Sequence, residues 1–424
     1  MASHSFLEEL AWRGLLSQKT EGVDEALVGG PVSGYCGFDP TADSLHVGSL
    51  VPIMGLVHLQ RAGHRPVALV GGGTGLIGDP SGRANERPLA DIAVIEANAE
   101  SIRKQLERFL DFSGTSAATL RNNAEWLAPL GMVHFLRDVG KHFSINYMLA
   151  KESVKTRLDE GISFTEFAYM LLQAYDFLEL QRRFGVTLQI GGSDQYGNIT
   201  AGIELVRRTN GVAVHGVTLP LVTRADGAKF GKSEAGNVWL DAARTSPFRF
   251  YQFWINADDR DTSKYLRYFT LLEREAIETL DRTIAERPDS REAQATLAYD
   301  VTARVHGEEA AKLARDVSRL LFDRKADPRA LGAAALGVLR DEIPFRRMSP
   351  GPDGQVSVLD MLVETGLVKS KGEARRQLQQ GAVSVNGRRL GAEEQSVSLG
   401  EALAGAFFLI RKGARDIGLV EVSS

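Results

Sequence analysis

Two hydrophobic patterns, unbroken short runs and helical spacing, organise the first 245 residues. Short apolar runs at 67–70 and 186–190 have the character of strands buried on both faces of a parallel sheet, and another short strand leads into Gly34. Between them lie stretches of helical spacing. Residues 6–16 form one, the series Val47, Leu50, Val51, Met54 and Val57 a second, and a long run to about Phe184 a third, opened by Ser163 and Glu166 as a capping box. Strand and helix alternating in this way predict an α/β domain with a doubly wound, Rossmann-like parallel sheet. Residues from about 91 to 144 carry helical patterns with one short strand candidate at 118–121, and read as an insertion between the two halves of that sheet.

From Ser246-Pro247 the strand signal stops, and helical patterns continue through 265–272 and 308–322, which predicts an all-α domain. A stretch rich in Ala, Gly and Pro, 326–353, reads as a linker. Beyond it, Ser357 caps a short helix, Ser370 with Glu373 caps a second, and 382–385, Asn386-Gly387 and 388–390 make a hairpin signal. The expected division is therefore 1–245, with an inserted segment at about 80–180; 246–325; and a small α+β domain at 354–424.

Chemistry collects where these patterns break. The string from Gly34 to Ser49, GYCGFDPTADSLHVGS, joins a strand to a helix through a tight polar loop. Thr41 to Asp43 supply capping side chains, so the helix is expected to start there. Unpaired amides at a helix start and Gly48 in the first turn would accept a large anion, with His46 donating to a phosphate oxygen or merely capping the turn. Pro52, read as interior to that helix, should cost on the order of 3 kcal/mol unless the helix bends. The run Gly73-Thr74-Gly75-Leu76-Ile77-Gly78 satisfies GxGxxG but leads into Asp79-Pro80 instead of opening a helix, which excludes the dinucleotide reading. Tyr169, Gln173 and Asp176 share one face of the long helix. Between Phe167 and Leu178 the sole charge is Asp176, so this helix is buried nearly all round and Asp176 needs a hydrogen-bond donor, from a ligand hydroxyl or a structural network. Gly191, Gly192 and Asp194 follow a strand, where an acidic residue either binds a ribose or caps the next helix. Lys229-Phe230-Gly231-Lys232-Ser233 lies in a glycine-rich loop.

Composition narrows the class. Charged residues make up 25% and hydrophobic residues 43% of 424, as in soluble globular chains, and no apolar run approaches the roughly 18 residues of a membrane span. The N-terminal residues, with Glu8 and Glu9, show no leader pattern, so a cytoplasmic location is expected. One cysteine, Cys36, excludes an internal disulfide and a multi-cysteine zinc site. A net charge of −4 argues against nucleic-acid binding by the whole surface but allows a local patch. Such a patch is Lys369, Lys371, Arg375, Arg376 and Arg388, with Glu373 the only acid between Lys369 and Arg389. Clustered cations neutralise phosphates, although they also serve as ordinary solvated surface.

His46-Val47-Gly48-Ser49 resembles the HIGH signature of class I aminoacyl-tRNA synthetases, with Ser49 where the second histidine stands, and Lys229 to Ser233 resembles their KMSKS signature. The strings Tyr35 to Ala42, QAYD (Gln173 to Asp176) and LQIGGSDQYGNITAG resemble the bacterial tyrosyl-tRNA synthetase family, over nearly the whole chain. That resemblance implies tyrosine activation by ATP, with magnesium carried by the nucleotide and no protein-bound metal, and transfer to tRNA. It implies Tyr35 and Asp176 on the phenolic hydroxyl and Asp79, Tyr169, Gln173 and Gln195 around the amino group. Cys36, Gly37, Asp39, His46, Gly48, Ser49, Gly191, Gly192, Asp194, Lys232 and Ser233 would line the ATP site, and Thr41, His46, Lys229 and Lys232 would hold the phosphates during reaction. Arg83 and Arg87 would lie in a loop over the ATP phosphates. The inserted segment would form a homodimer interface, 246–325 a helical anticodon-arm domain, and 354–424 an S4-like RNA-binding domain. The tryptophan-specific relatives share the expected fold but are disfavoured by the Tyr35 and Asp176 pair. An RNA-binding protein that has lost catalysis is disfavoured by His46, Lys229 and Lys232.

Overall fold

The computed structural model of the chain describes residues 5–81, 91–151, 154–155, 161–228, 230–233, 236–323, 326–413 and 415–423. Arg83, Arg87 and Lys229 lie outside the described residues. The chain divides into two compact units, one of residues 1–246 and 253–305, the other of 247–252 and 306–424.

The first unit is built on a six-stranded sheet. Its strands are β1 (Gln18–Lys19), β2 (Ser33–Phe38), β3 (Arg65–Val70), β4 (Thr119–Asn122), β5 (Val186–Gly192) and β6 (His215–Leu219), in the order β1-β6-β5-β2-β3-β4. All neighbours pair in parallel except β1, which runs antiparallel to β6. From β2 the chain winds outward through β3 and β4, then crosses back to β5 and β6 on the other side. Strand order therefore reverses between β2 and β5, and the carboxyl ends of these two strands open a crevice that no connection fills.

The strip read as an insertion contributes directly to this sheet. Thr119–Asn122 pairs with β3 in the register Val67↔Thr119 to Val70↔Asn122, and is an edge strand of the main sheet. The helix Phe164–Phe184 begins on Ser163, whose side chain accepts from the Glu166 amide, and ends at Gly185 in the left-handed region. Its buried face, with Ala174, Phe177 and Leu178, packs into one core with Tyr35, Val67, Leu69 and Trp126.

Two expectations about the opening helix are corrected. The α-helix starts at Leu50, not near Thr41; a single 3-10 turn, Val47–Ser49, precedes it, so Gly48 lies in that turn. Pro52 consequently occupies the third helical position, where its missing N–H would have had no intrahelical partner, and the expected cost does not arise.

Residues after 246 do not separate where the composition changes. The helices Asp259–Phe269 and Arg274–Glu286 belong to the first unit. Buried Arg13 donates to the carbonyls of Arg267, Thr270 and Leu272, which fixes the N-terminal helix Phe6–Arg13 against them.

The second unit carries the helix Glu308–Phe322 and a small α+β body. Within 326–353, read as a linker, lie the helix Ala333–Leu339 and the strand β9 (Phe345–Met348). After the short hairpin β7 (Lys232–Ser233) and β8 (Gly236–Asn237) of the first unit, the remaining strands are β10 (Gln355–Ser357), β11 (Val383–Val385), β12 (Arg388–Arg389), β13 (Ser396–Ser398), β14 (Phe407–Lys412) and β15 (Asp416–Val422). The five-stranded sheet runs β12-β11-β14-β15-β9, so the supposed linker supplies its edge strand, parallel to β15. The hairpin signal is realised: Asn386 and Gly387 have φ of 50° and 81°, the paired positive values of the tight turn that Asn-Gly favours. The helices Val358–Glu364 and Lys371–Gln379 are capped by Ser357 and Ser370.

Candidate active site

A cleft of about 830 Å³ opens at the carboxyl ends of β2 and β5. Tyr35 to Asp39 at the end of β2 and Gln189 to Gly192 at the end of β5 line its floor. The long helix contributes Tyr169, Gln173 and Asp176, and the segments after β2 and β3 contribute Thr41, His46, Gly48, Ser49 and Asp79. Asp194 and Gln195 line it from the start of the next helix. Residues that the sequence scatters from Tyr35 to Gln195 thus meet at the switch point, as the winding of the sheet requires.

At the deep end sits Asp176, 2% exposed. Of the two donors the sequence left open, a structural network is present: Asn123 Nδ2 donates to one oxygen at 2.9 Å and Trp126 Nε1 to the other at 2.7 Å. Burial raises its carboxyl, the two donors oppose the shift and the charge of Asp39 adds to it, leaving it at about 7. Beside it the Tyr35 hydroxyl, buried and held above the ordinary phenol range first by burial and then by the Asp176 charge, has no hydrogen-bond partner among the described residues. An orphaned hydroxyl next to a buried carboxylate is a site for one further hydrogen-bonding group.

Nearer the mouth the polar groups interlock. Tyr169 donates to Asp39 at 2.7 Å, Thr74 Oγ1 donates to the other Asp39 oxygen at 2.8 Å, and Asn123 Nδ2 donates to Thr74 at 2.9 Å. Across the cleft Gln195 Nε2 donates to Asp79 at 2.7 Å, and Asn198 donates to Gln173 at 2.9 Å. Asp194 is shifted upward by burial and by the charge of Asp79. Carboxylates at 39, 79, 176 and 194 line the cleft, and no Lys or Arg does among the described residues. This end therefore favours a cation.

On the opposite rim the turn amides expected to be unpaired are taken: Val47 donates to the Val238 carbonyl, Gly48 to His46 Nδ1 and Ser49 to the His46 carbonyl, which leaves side chains to meet an anion there. His46 caps the 3-10 turn, with Nδ1 accepting from the Gly48 amide at 3.0 Å. In the neutral ring the proton then sits on Nε2, leaving that nitrogen a donor. The capping and donor readings of His46 are compatible, one for each nitrogen. Gly231 has φ of 83°, and a Cβ there would lie 2.9 Å from Val47 Cγ2, so only glycine fits against the His46 segment. Lys232 follows in β7, exposed, with its backbone paired to Asn237, a cleft-lining residue. Cys36 is buried on the floor, its thiol pushed up to about 12 by burial, and so is un-ionised near neutral pH.

Sequence reasoning missed Asn123, Trp126, Thr74 and Asn198. Their signal was weak: polar residues just after a strand read as turn formers until β4 is known to lie in the sheet.

In the second unit the basic cluster is partly neutralised. Lys371 pairs with Asp360, and Arg388 with Glu394 and Glu401. Lys369, Arg375 and Arg376 are exposed.

The class is set by the match of residues 28–323 to the family model of tRNA synthetases class I (W and Y), in keeping with a cleft at the switch point of a doubly wound sheet and the two signatures on its rim. Residues 338–420 match the tyrosine–tRNA ligase SYY-like C-terminal domain. The tyrosine–tRNA ligase of Anaeromyxobacter dehalogenans is 52% identical over 418 residues, covering 99% of each chain. That of Geobacillus stearothermophilus is 51% identical, covering 98% of this chain and 99% of its own. The C-terminally truncated mitochondrial tyrosyl-tRNA synthetase of Aspergillus nidulans superposes with a TM-score of 0.68 at 32% identity, over 75% of this chain and 94% of that one. The chain belongs to the tyrosine–tRNA ligase family.

Proposed function

We infer that the cleft activates L-tyrosine with ATP, forming tyrosyl-adenylate and pyrophosphate, and that the tyrosyl group then passes to the 3′ end of a tRNA. The observation that carries this reading is the buried pair at the deep end: an orphaned Tyr35 hydroxyl beside a carboxylate supplied with two protein donors. A phenolic hydroxyl donates to Asp176 and accepts from Tyr35, whereas a phenyl ring leaves both groups unmatched. Loss of a matching hydroxyl is strongly selected against in such a site, and tyrosine-activating enzymes are themselves the standard example. The carboxylate-rich middle, with Asp79, Gln195, Gln173 and Tyr169, holds the ammonium group.

The reaction needs no side-chain nucleophile. The tyrosine carboxylate oxygen attacks the α-phosphorus, and the bond to the bridging oxygen of pyrophosphate breaks. Asp39, Cys36, Gly37, Gly191, Gly192 and Asp194 cradle the nucleoside, with Gly48 and Ser49 beside the phosphates. Thr41, His46, Lys229 and Lys232, with Ser233, hold the β- and γ-phosphates more tightly as charge develops on the leaving group. Magnesium enters with ATP. Removal of one such donor costs about 100- to 1000-fold, so His46→Ala and Lys232→Ala should each slow single-turnover adenylate formation by that order. Unchanged rates in both would overturn the assignment. ATP–pyrophosphate exchange supported by tyrosine, and not by tryptophan or phenylalanine, tests substrate and site together.

Met132, Val133, Ile145 and Phe164, all within the inserted segment, are large apolar side chains left exposed, which supports a homodimer through that segment. The small C-terminal body, S4-like in its helix pair and hairpin, is assigned to tRNA through Lys369, Lys371, Arg375, Arg376 and Arg388, and 246–325 to the anticodon arm. Ion pairing at Lys371 and Arg388 puts more of the RNA contact on Arg375 and Arg376. No helix among the described residues is long and apolar enough to cross a membrane; residence in the cytoplasm is part of the proposal.

A further inference from the structure

We propose that Trp239 is a positioning residue for His46, fixing its imidazole at the phosphate end of the cleft; the inference rests on the role assigned to His46 above. The two signature segments are joined by one backbone ribbon. The Val47 amide donates to the Val238 carbonyl at 3.0 Å, and the Leu240 amide donates to the Leu45 carbonyl at 2.8 Å. These bonds make His46 and Trp239 an antiparallel bridge of the non-hydrogen-bonded kind. In that geometry the facing residues approach most closely and their side chains share one face of the ribbon. The rings meet edge to face, with centroids 6.3 Å apart and planes at 68°.

The indole is itself held. The Arg244 guanidinium lies 4.3 Å from its ring centroid, and the Trp239 backbone N–H donates to Thr245 Oγ1 at 3.0 Å, which anchors the main chain that carries it. Arg244 in turn reaches Asp43 at 2.6 Å, two residues beyond Thr41 on the loop assigned to the phosphates. The ion pair is exposed and contributes little alone. Its effect is to complete a stack of Asp43, Arg244, Trp239 and His46 along one rim. The Gly48 amide fixes the imidazole at Nδ1, and the indole limits its rotation about that bond, so Nε2–H stays aimed along one direction. Trp239 also lines the cleft. The ribbon continues back into the β7–β8 hairpin through the Val238 amide, which donates to the Gly231 carbonyl at 2.9 Å, so Lys232 is tied to the same frame.

The test is a double-mutant cycle on single-turnover tyrosyl-adenylate formation with wild type, Trp239→Ala, His46→Ala and the double variant, alongside tyrosine affinity by calorimetry. An edge-to-face pair of this kind leads to an expected loss of about 2- to 10-fold for Trp239→Ala, with tyrosine affinity unchanged. In the His46→Ala background the same substitution should change the rate by less than about 2-fold, because the group it positions is gone. Trp239→Phe should restore most of the rate. Equal losses in both backgrounds would mean that Trp239 acts on something other than His46 and would overturn the proposal, as would a loss expressed in tyrosine affinity. If Trp239→Ala fails to fold by circular dichroism, Arg244→Ala on the exposed side of the stack replaces it, with a smaller loss expected that also vanishes without His46. A His46→Ala protein of normal rate would instead sink the assignment of His46 itself, and that result is visible before any Trp239 variant is made.

Discussion

Substitution of Tyr35 by phenylalanine separates stability from binding. The ring stays, held by an edge-to-face contact with Phe177 at 5.2 Å and by cross-strand pairing with Val67, and only the hydroxyl leaves. That hydroxyl is buried and without a partner among the described residues. A buried polar group left unsatisfied costs about 1–3 kcal/mol, so its removal should raise the unfolding free energy of the ligand-free protein by on the order of 1 kcal/mol. The same atom is assigned to the phenolic oxygen of tyrosine. A neutral hydrogen bond nets about 0.5–1.5 kcal/mol, which corresponds to a tyrosine dissociation constant roughly 2- to 13-fold weaker. Urea unfolding of the ligand-free protein and calorimetric titration with tyrosine and with phenylalanine measure the two effects independently. The expected result is a higher unfolding midpoint, weaker tyrosine binding and a narrower gap between tyrosine and phenylalanine. A less stable variant with unchanged tyrosine affinity would show that the hydroxyl is already satisfied without ligand, and would refute both the orphan assignment and its role.

Four further outcomes are expected. Because burial raises the Asp176 carboxyl to about 7, the folded state holds this proton more tightly than the unfolded chain. Its contribution to stability is therefore greatest below about pH 4, declines as pH rises to about 7 and is flat above, a slope that Asp176→Asn should remove in pH-dependent unfolding. Tyrosine affinity should run the other way, strengthening through pH 7 as the carboxylate becomes free to accept the phenol proton; Trp126→Phe, by deleting a donor at 2.7 Å, should move that midpoint to higher pH in calorimetric titration. Gly231→Ala forces a side chain into a φ of 83° and against Val47, at a cost of about 1–3 kcal/mol, and should slow adenylate formation while leaving tyrosine binding unaltered. Val133→Asp places a charge on an exposed apolar surface and should shift the sedimentation coefficient from dimer to monomer, with circular dichroism unchanged.

Local chemistry decided much of this protein before any folding. Unbroken apolar runs marked β3 and β5 and a period of 3.6 marked the helix Phe164–Phe184, Ser163, Ser357 and Ser370 marked helix starts, and Asn386-Gly387 marked a hairpin, because each depends on neighbours a few residues away. Of the lining residues, Tyr169, Gln173 and Asp176 were legible as polar groups on an otherwise apolar helix, whereas Tyr35, Asp79 and Gln195 followed from the family resemblance alone. What the sequence could not decide was pairing across long separations. Asp176 meets Asn123 and Trp126 only because β4 joins the main sheet beside β3, and β9 leaves its apparent linker only because β15 offers an edge. Arg388 and Lys371, free cations on paper, acquire partners brought by tertiary structure. Strand order and register set these meetings, and they follow from the packing of the whole core rather than from any short stretch of chain.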